Sequence, residues 1–208
     1  MNAIVDRAAD LLASGAKWIS GADVSWLWRP VGRVPRVYFA NHSSHLDALV
    51  LWAALPAPVR IQTRPVAAQE YWQRTPLRRF LASRIFRSVL VSRESSSPFA
   101  ARGILSSLLR ELERGCSLIL FPEGTRGDGR EIGEFKSGLY QLCCARSGLE
   151  AVPVYLDNLN RVLPKGDLIP ASAASRVVFG PPLRLEAGET KSDFLSRARQ
   201  ALRALKPR

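Results

Sequence analysis

The sequence predicts a single α/β domain: a mostly parallel sheet flanked by helices, with an amphipathic helix at its N-terminus. Three observations carry this. Short apolar, β-branched runs alternate along the chain with stretches of helical periodicity, as they do where crossover helices join parallel strands. The chain has 208 residues, enough for one full-sized core. With 47% apolar and 23% charged residues it reads as globular, and no linker, repeat or low-complexity tract divides it.

At the N-terminus, Ile4, Ala8, Leu11, Leu12 and Ile19 recur at helical spacing, with Arg7, Asp10 and Lys17 off the stripe. Trp18, Trp26 and Trp28 follow, and tryptophan favours membrane–water interfaces. Residues 1–28 are therefore expected either to touch a bilayer surface or to pack on the domain formed by residues 29–208. Strands are expected at 34–40, 60–68, 88–92, 117–121, 151–156 and 176–179. Helices are expected at 45–55, 76–86, 99–114, 136–146 and 193–205. Ser192 is the expected cap of the last helix, whose apolar stripe is Phe194, Leu195, Ala198, Leu202 and Leu205.

No apolar run approaches the roughly 20 residues that span a bilayer, and Pro56 and Pro58 interrupt the longest candidate. Asp6 and Asp10 rule against a secretory signal. Cys116, Cys143 and Cys144 lack ligand spacing and read as buried thiols of a reducing compartment. The net charge of +12 points to an anionic partner. Arginine supplies most of it, and arginine suits bidentate contact with phosphate. Arg74, Arg78, Arg79, Arg84, Arg87 and Arg93 cluster with no acidic residue among them. Such a cluster fits nucleic acid, anionic lipid, a phosphorylated substrate or simply a solvated face.

The run Asn41-His42-Ser43-Ser44-His45-Leu46-Asp47 lies between an expected strand and an expected helix, and it holds both histidines of the chain. Histidine is the side chain best suited to moving protons near neutral pH. Positions five apart are roughly 140° apart on an ideal helix. His42 and Asp47 therefore meet only if His42 stands on the turn and Asp47 in the first helical turn, with Ser43 or Ser44 as cap. Asp47 would then fix the imidazole tautomer and leave Nε2 to take a proton. A second reading makes Ser44 to Asp47 a capping box and nothing more. A third takes His42, His45 and Asp47 as metal ligands, although catalytic zinc often uses two or three histidines and no further one exists.

A second strand end carries Phe121-Pro122-Glu123-Gly124-Thr125-Arg126, followed by Gly127, Gly129, Gly133 and Gly138. Ligands of open α/β sheets bind beyond the carboxyl ends of strands. Arg126 is placed to grip a phosphate there, with Glu123 holding a substrate hydroxyl or orienting Arg126. The Walker spacing is absent, so a nucleoside triphosphate site is not supported. A connecting loop is the alternative.

These two motifs, in this order, resemble those of the glycerolipid acyltransferases, whose type members act on 1-acylglycerol-3-phosphate and glycerol-3-phosphate. The family's N-H-x-x-x-x-D is matched by Asn41, His42 and Asp47, and its F-P-E-G-T-R by Phe121 to Arg126. Val89-Leu90-Val91-Ser92-Arg93 is similar to the second motif and Val152-Pro153-Val154 to the fourth. Phe135-Lys136-Ser137-Gly138 resembles an F-K-x-G run of the family. The likeness runs from about Val34 to Leu183. One departure stands out: where the family commonly has A-K-K-E, this chain has Ala67-Ala68-Gln69-Glu70.

The resemblance implies an O-acyltransferase in which His42 is the general base and Asp47 its partner. It implies that Glu123, Gly124, Thr125 and Arg126, with Arg93 and Lys136, hold the acceptor. The co-substrate would be acyl-CoA or acyl carrier protein, with no metal or other cofactor. The favoured reaction turns 1-acylglycerol-3-phosphate into phosphatidate; another lysolipid is the alternative acceptor. Such a protein is expected in the cytoplasm, peripheral on the inner face of the cell membrane, and not on nucleic acid. If a lysine of the missing pair steadies the oxyanion, then Gln69, a backbone N–H or an arginine must replace it. Two rival readings remain: a non-catalytic basic module that binds lipid or nucleic acid, indifferent to His42→Ala, and a metal-dependent hydrolase, sensitive to chelators and to His45→Ala.

Overall fold

The computed structural model describes residues 3–29, 32, 34–92, 97–159 and 175–207, without the side chains of 3–6, 17–19 and 98. The elements in chain order are α1 (Ala3–Ser20), β1 (Asp23–Trp26), β2 (Arg36–Ala40), α2 (Asp47–Ala54), α3 (Ala57–Arg60) and β3 (Thr63–Ala68). Then come α4 (Gln69–Trp72), α5 (Pro76–Phe80) running into a π-helical stretch (Leu81–Ile85), β4 (Val89–Val91) and α6 (Pro98–Glu113). The chain ends through β5 (Ser117–Leu120), α7 (Gly138–Ala145), β6 (Glu150–Asp157), β7 (Arg176–Phe179) and α8 (Lys191–Ala204).

These strands form one seven-stranded sheet in the order β1-β7-β6-β2-β5-β3-β4. All neighbours are parallel except β6 and β7, so the mostly parallel sheet read from the sequence is present. Strand periodicity of two divides β2 between two cores. Tyr38 and Ala40 face one core with Ile119, Val154 and Phe179, covered by Ala13 and Ala16 of α1 and by Leu51, Trp52 and Leu55. Val37 and Phe39 face the other with Leu118 and Ala151, covered by Leu108 and Leu112 of α6, Leu142 of α7 and Phe194, Ala198 and Leu202 of α8. Burial on both faces explains why the central strands read as continuous apolar runs.

Several expectations change in detail. Thr190, not Ser192, caps the last helix: its Oγ1 accepts from Asp193 N at 3.2 Å and donates to the Asp193 carboxylate at 2.6 Å. Strand β1 was not expected, because Asp23-Val24-Ser25-Trp26 is short and half polar; pairing with β7 makes it a strand. Trp26 stacks on Phe179 with ring centroids 3.7 Å apart, and Trp28 lies under the Arg36 guanidinium. Helix α1 packs on α2 through small residues, and Asp10 pairs with Arg60. Residues 3–28 thus supply a helix and a strand to the same body as the rest. Leu11, placed on the apolar stripe by its spacing, is 74% exposed, and Ala13 and Ala16 take the contact instead. The side chains of Ile4, Lys17, Trp18 and Ile19 lie outside those described. Of the cysteines only Cys143 is buried, which pushes its thiol up to about 12; Cys144 is exposed. No described helix is long and apolar enough to cross a membrane.

Arg36 and Glu150 begin the adjacent strands β2 and β6, and Nε donates to the carboxylate at 2.7 Å. Arg184 binds the other oxygen at 2.7 Å. Burial raises the Glu150 pKa, but the hydrogen bonds from Arg184 and Arg36 outweigh it and hold the carboxyl below its usual range. A depressed carboxyl stabilises the fold above its unfolded pKa, and that stability is lost as pH falls through the folded value. Glu150→Gln should therefore lower the urea midpoint at pH 7. The difference from wild type should shrink below about pH 4.

Candidate active site

The site is built where β2 and β5 end side by side. Their parallel register pairs Phe39 with Leu120, so His42 and Glu123, three residues beyond each, leave the sheet together. Asn41 continues the ladder with its side chain. Its Nδ2 donates to Leu156 O and its Oδ1 accepts from Leu156 N, both at 2.8 Å. The main chain can then turn away while the strand end stays pinned to β6.

His42 is gripped through its backbone by Glu123 of the Phe121–Arg126 loop and by Gly127 just beyond it. Its N–H donates to Glu123 Oε1 at 2.9 Å, and its carbonyl accepts from Gly127 N at 2.8 Å. The ring stacks on Phe121 with centroids 4.3 Å apart. Nδ1 lies 2.8 Å from Asp47 Oδ2. An ionised carboxylate only accepts, so an ionised Asp47 puts the proton on Nδ1 and leaves the Nε2 lone pair free.

Asp47 is the first residue of α2 and is fully buried. The same Oδ2 accepts from Ser43 N at 2.6 Å and from Ser44 N at 2.8 Å. The carboxylate that orients His42 therefore also ties down the turn before α2, without capping the helix. The serine side chains do not cap α2, contrary to expectation; Ser44 Oγ accepts from Leu46 N within the turn.

A cavity of about 350 Å³ opens at His42. Its lining includes two cations, Arg126 and Lys136. The remaining wall is largely apolar, from Val66, Ala67 and Ala68 on β3, Val91 on β4, Ile104 and Leu108 on α6, and Leu120 and Phe121. Trp72 and Tyr71 close another side. His45 stacks on Tyr71, and the Arg78 guanidinium covers the other part of this wall, 4.3 Å from the Tyr71 centroid. Burial, together with the nearby charges of Arg126, His42 and Arg78, holds the His45 pKa below its ordinary value. Its ring is a wall, and among the described residues no three His, Cys, Asp or Glu side chains converge as metal ligands.

The expected acceptor-binding residues separate. Arg126, Lys136 and Gly124 line the cavity; Thr125 is exposed and does not. Arg93 lies outside the described residues. Glu123 is buried with both oxygens on backbone amides, Oε1 on His42 N and Oε2 on Gly133 N at 2.9 Å. In this structure it clamps the loop and touches neither Arg126 nor the open cavity. A Cβ at Gly133 would stand 2.8 Å from Glu123 Oε2, so any larger residue there would displace the clamping carboxylate. Gly124 adopts φ +71, and a Cβ on it would meet Lys136 Cε at 2.8 Å. Where the family lysines would stand, Ala68 offers no donor side chain, and Gln69 Nε2 donates to Gln73 Oε1. The sequence reading missed the wall of His45, Tyr71 and Trp72, which carries no motif.

Residues 29–157 match the Acyltransferase family, which is most of the chain. The chain belongs to this family. Among relatives, a 1-acyl-sn-glycerol-3-phosphate acyltransferase of Limnanthes alba is 30% identical over 172 residues, covering 81% of this chain and 57% of that protein. A probable 1-acyl-sn-glycerol-3-phosphate acyltransferase of Mycoplasma pneumoniae is 35% identical over 99 residues, 48% of this chain and 36% of that one. The chloroplastic enzyme LPAT1 of Arabidopsis thaliana is 26% identical, over 66% of this chain and 36% of its own. The chain thus spans between about a third and three fifths of these relatives. The fold is also that of the 1-acyl-sn-glycerophosphate acyltransferase PlsC from Thermotoga maritima, with a TM-score of 0.75 at 18% identity, covering 96% of this chain and 78% of that one.

The clamp and the acceptor-binding role of Glu123 make different demands. Glu123→Gln turns an NH₂ toward one of two backbone N–H donors. It should lower stability by about 1–3 kcal/mol and reduce kcat, with the acceptor KM little changed. A selective rise in acceptor KM would instead assign Glu123 to the substrate.

Proposed function

We propose that this protein transfers a fatty acyl group from a thioester, acyl-CoA or acyl carrier protein, to the hydroxyl of a lysolipid. The preferred acceptor is 1-acylglycerol-3-phosphate, giving phosphatidate. The observation that carries this is the histidine whose Nδ1 is held on a buried carboxylate, at a cavity lined by two cations and a largely apolar wall. The names of the relatives point to the same acceptor.

In this mechanism His42 Nε2 removes the hydroxyl proton as the acceptor oxygen attacks the thioester carbon. The C–S bond breaks and the sulfur leaves as thiolate, which takes up the proton from the imidazolium. Asp47 stabilises that imidazolium while it exists. A thiol has a pKa of about 8.5, so the leaving group needs little acid assistance and no covalent enzyme intermediate. Arg126 and Lys136 hold the acceptor's phosphate, with Arg93 as a further contributor. The oxyanion needs a donor that the side chains of Ala68 and Gln69 do not supply; a backbone N–H, or whichever of Lys136 and Arg126 the phosphate leaves free, takes this role. The apolar wall receives an acyl chain. Because acceptor and product are lipids, the protein works docked on the inner face of the cell membrane.

Thiol release from acyl-CoA across a panel of lysolipids tests the reading. His42→Ala should lower kcat by about 10²–10⁴, and Asp47→Asn should do nearly as much while leaving the acceptor KM close to wild type. Arg126→Ala should raise KM for phosphate-bearing acceptors. Acceptor-independent thiol release, or full activity in His42→Ala, would overturn the proposal.

A further inference from the structure

Helix α5 and the π-helical stretch behind it form a ten-residue helical segment with an unusual surface. Its inner side is already packed, through Ala82 and Ile85 and, in part, Leu81. Its outer side nevertheless presents Leu77 at 67% exposure and Phe80 at 50%, one helical turn apart on the same face. Arg74, Arg79 and Arg84 stand exposed around them, and no acidic residue occurs between Tyr71 and Ser92. An apolar pair on the water side of a helix that has buried its other face marks a contact site. Apolar side chains within a basic collar match an anionic lipid surface: the collar reads headgroups and the pair enters the acyl boundary.

The position of the segment adds to this. Helix α4 follows β3 directly at the carboxyl end of the sheet, where the cavity opens, and α5 begins four residues later. Tyr71 and Trp72 of α4 line the cavity, and Arg78 of α5 covers Tyr71. The exposed pair therefore flanks the wall of the cavity itself. Helix α1, the other amphipathic candidate, has its small-residue face buried against α2 and leaves Leu11 as its exposed large apolar side chain among those described.

We infer that α5, through Leu77 and Phe80 within their arginine collar, is the surface that seats the protein on an anionic membrane beside the cavity. The inference deepens the acyltransferase reading, since a lipid acceptor could then pass from bilayer to site along the Tyr71 and Trp72 wall. A second copy of this chain is a poorer occupant, because two basic collars would face each other across the contact.

The test is co-sedimentation of the full chain with vesicles of phosphatidylcholine, alone or mixed with phosphatidylglycerol, without substrate. Leu77→Ser/Phe80→Ser should weaken binding about a hundredfold. Arg74→Ala/Arg79→Ala should weaken it roughly fivefold per arginine, on the anionic vesicles only and less at high salt. Leu11→Ser should bind as wild type. All three variants should keep the wild-type melting temperature and transfer acyl groups to a short-chain, water-soluble acceptor at the wild-type rate. His42→Ala should bind vesicles normally without turnover, which separates failure of docking from failure of the catalytic reading. Wild-type binding by Leu77→Ser/Phe80→Ser, loss of binding in Leu11→Ser, or a Leu77- and Phe80-dependent dimer in sedimentation would each overturn the inference.

Discussion

The site depends on one buried oxygen. Asp47 Oδ2 accepts from His42 Nδ1 and from the N–H groups of Ser43 and Ser44, at 2.6–2.8 Å. An unpaired carboxylate in so dry a place would cost several kcal/mol or take up a proton. Three donors converge on this one oxygen. The same bonds hold the turn after β2 in one shape, so the imidazole has one orientation. The group that orients the ring is thus also the group that ties down the turn.

A second carboxylate supports the first from the neighbouring strand. Glu123 joins His42 N to Gly133 N, and Gly127 N closes on the His42 carbonyl. The loop after β5 is thereby tied to the turn after β2. Parallel register sets the two strand ends level, so short side chains suffice for these ties. Arg126 and Lys136 line the same cavity as His42.

The order of strands and helices was legible because each central strand is buried on both faces and each covering helix on one. The His42 and Asp47 contact was legible because a spacing of five admits only one meeting geometry at a helix start. Elsewhere the information is not local. Thr190 and Ser192 are both competent caps, and only the path of the chain from β7 chooses between them. Strand β1 exists because β7 has an open edge. Glu123 could be singled out in the sequence, but its contacts could not be read there, since its partners are backbone amides 81 and 10 residues away. Leu77 and Phe80 fit a helical pattern in sequence, and nothing in that pattern says that both face outward.

The central claim is that Asp47 fixes the His42 tautomer with the proton on Nδ1 and Nε2 bare. Long-range nitrogen–proton NMR correlation on the imidazole rings measures this directly. With only two histidines in the chain, His45→Gln assigns the spectrum. The expected result above the imidazole pKa is a His42 ring protonated at Nδ1, with that preference lost in Asp47→Asn. A ring protonated at Nε2, or one unchanged by Asp47→Asn, would contradict the claim.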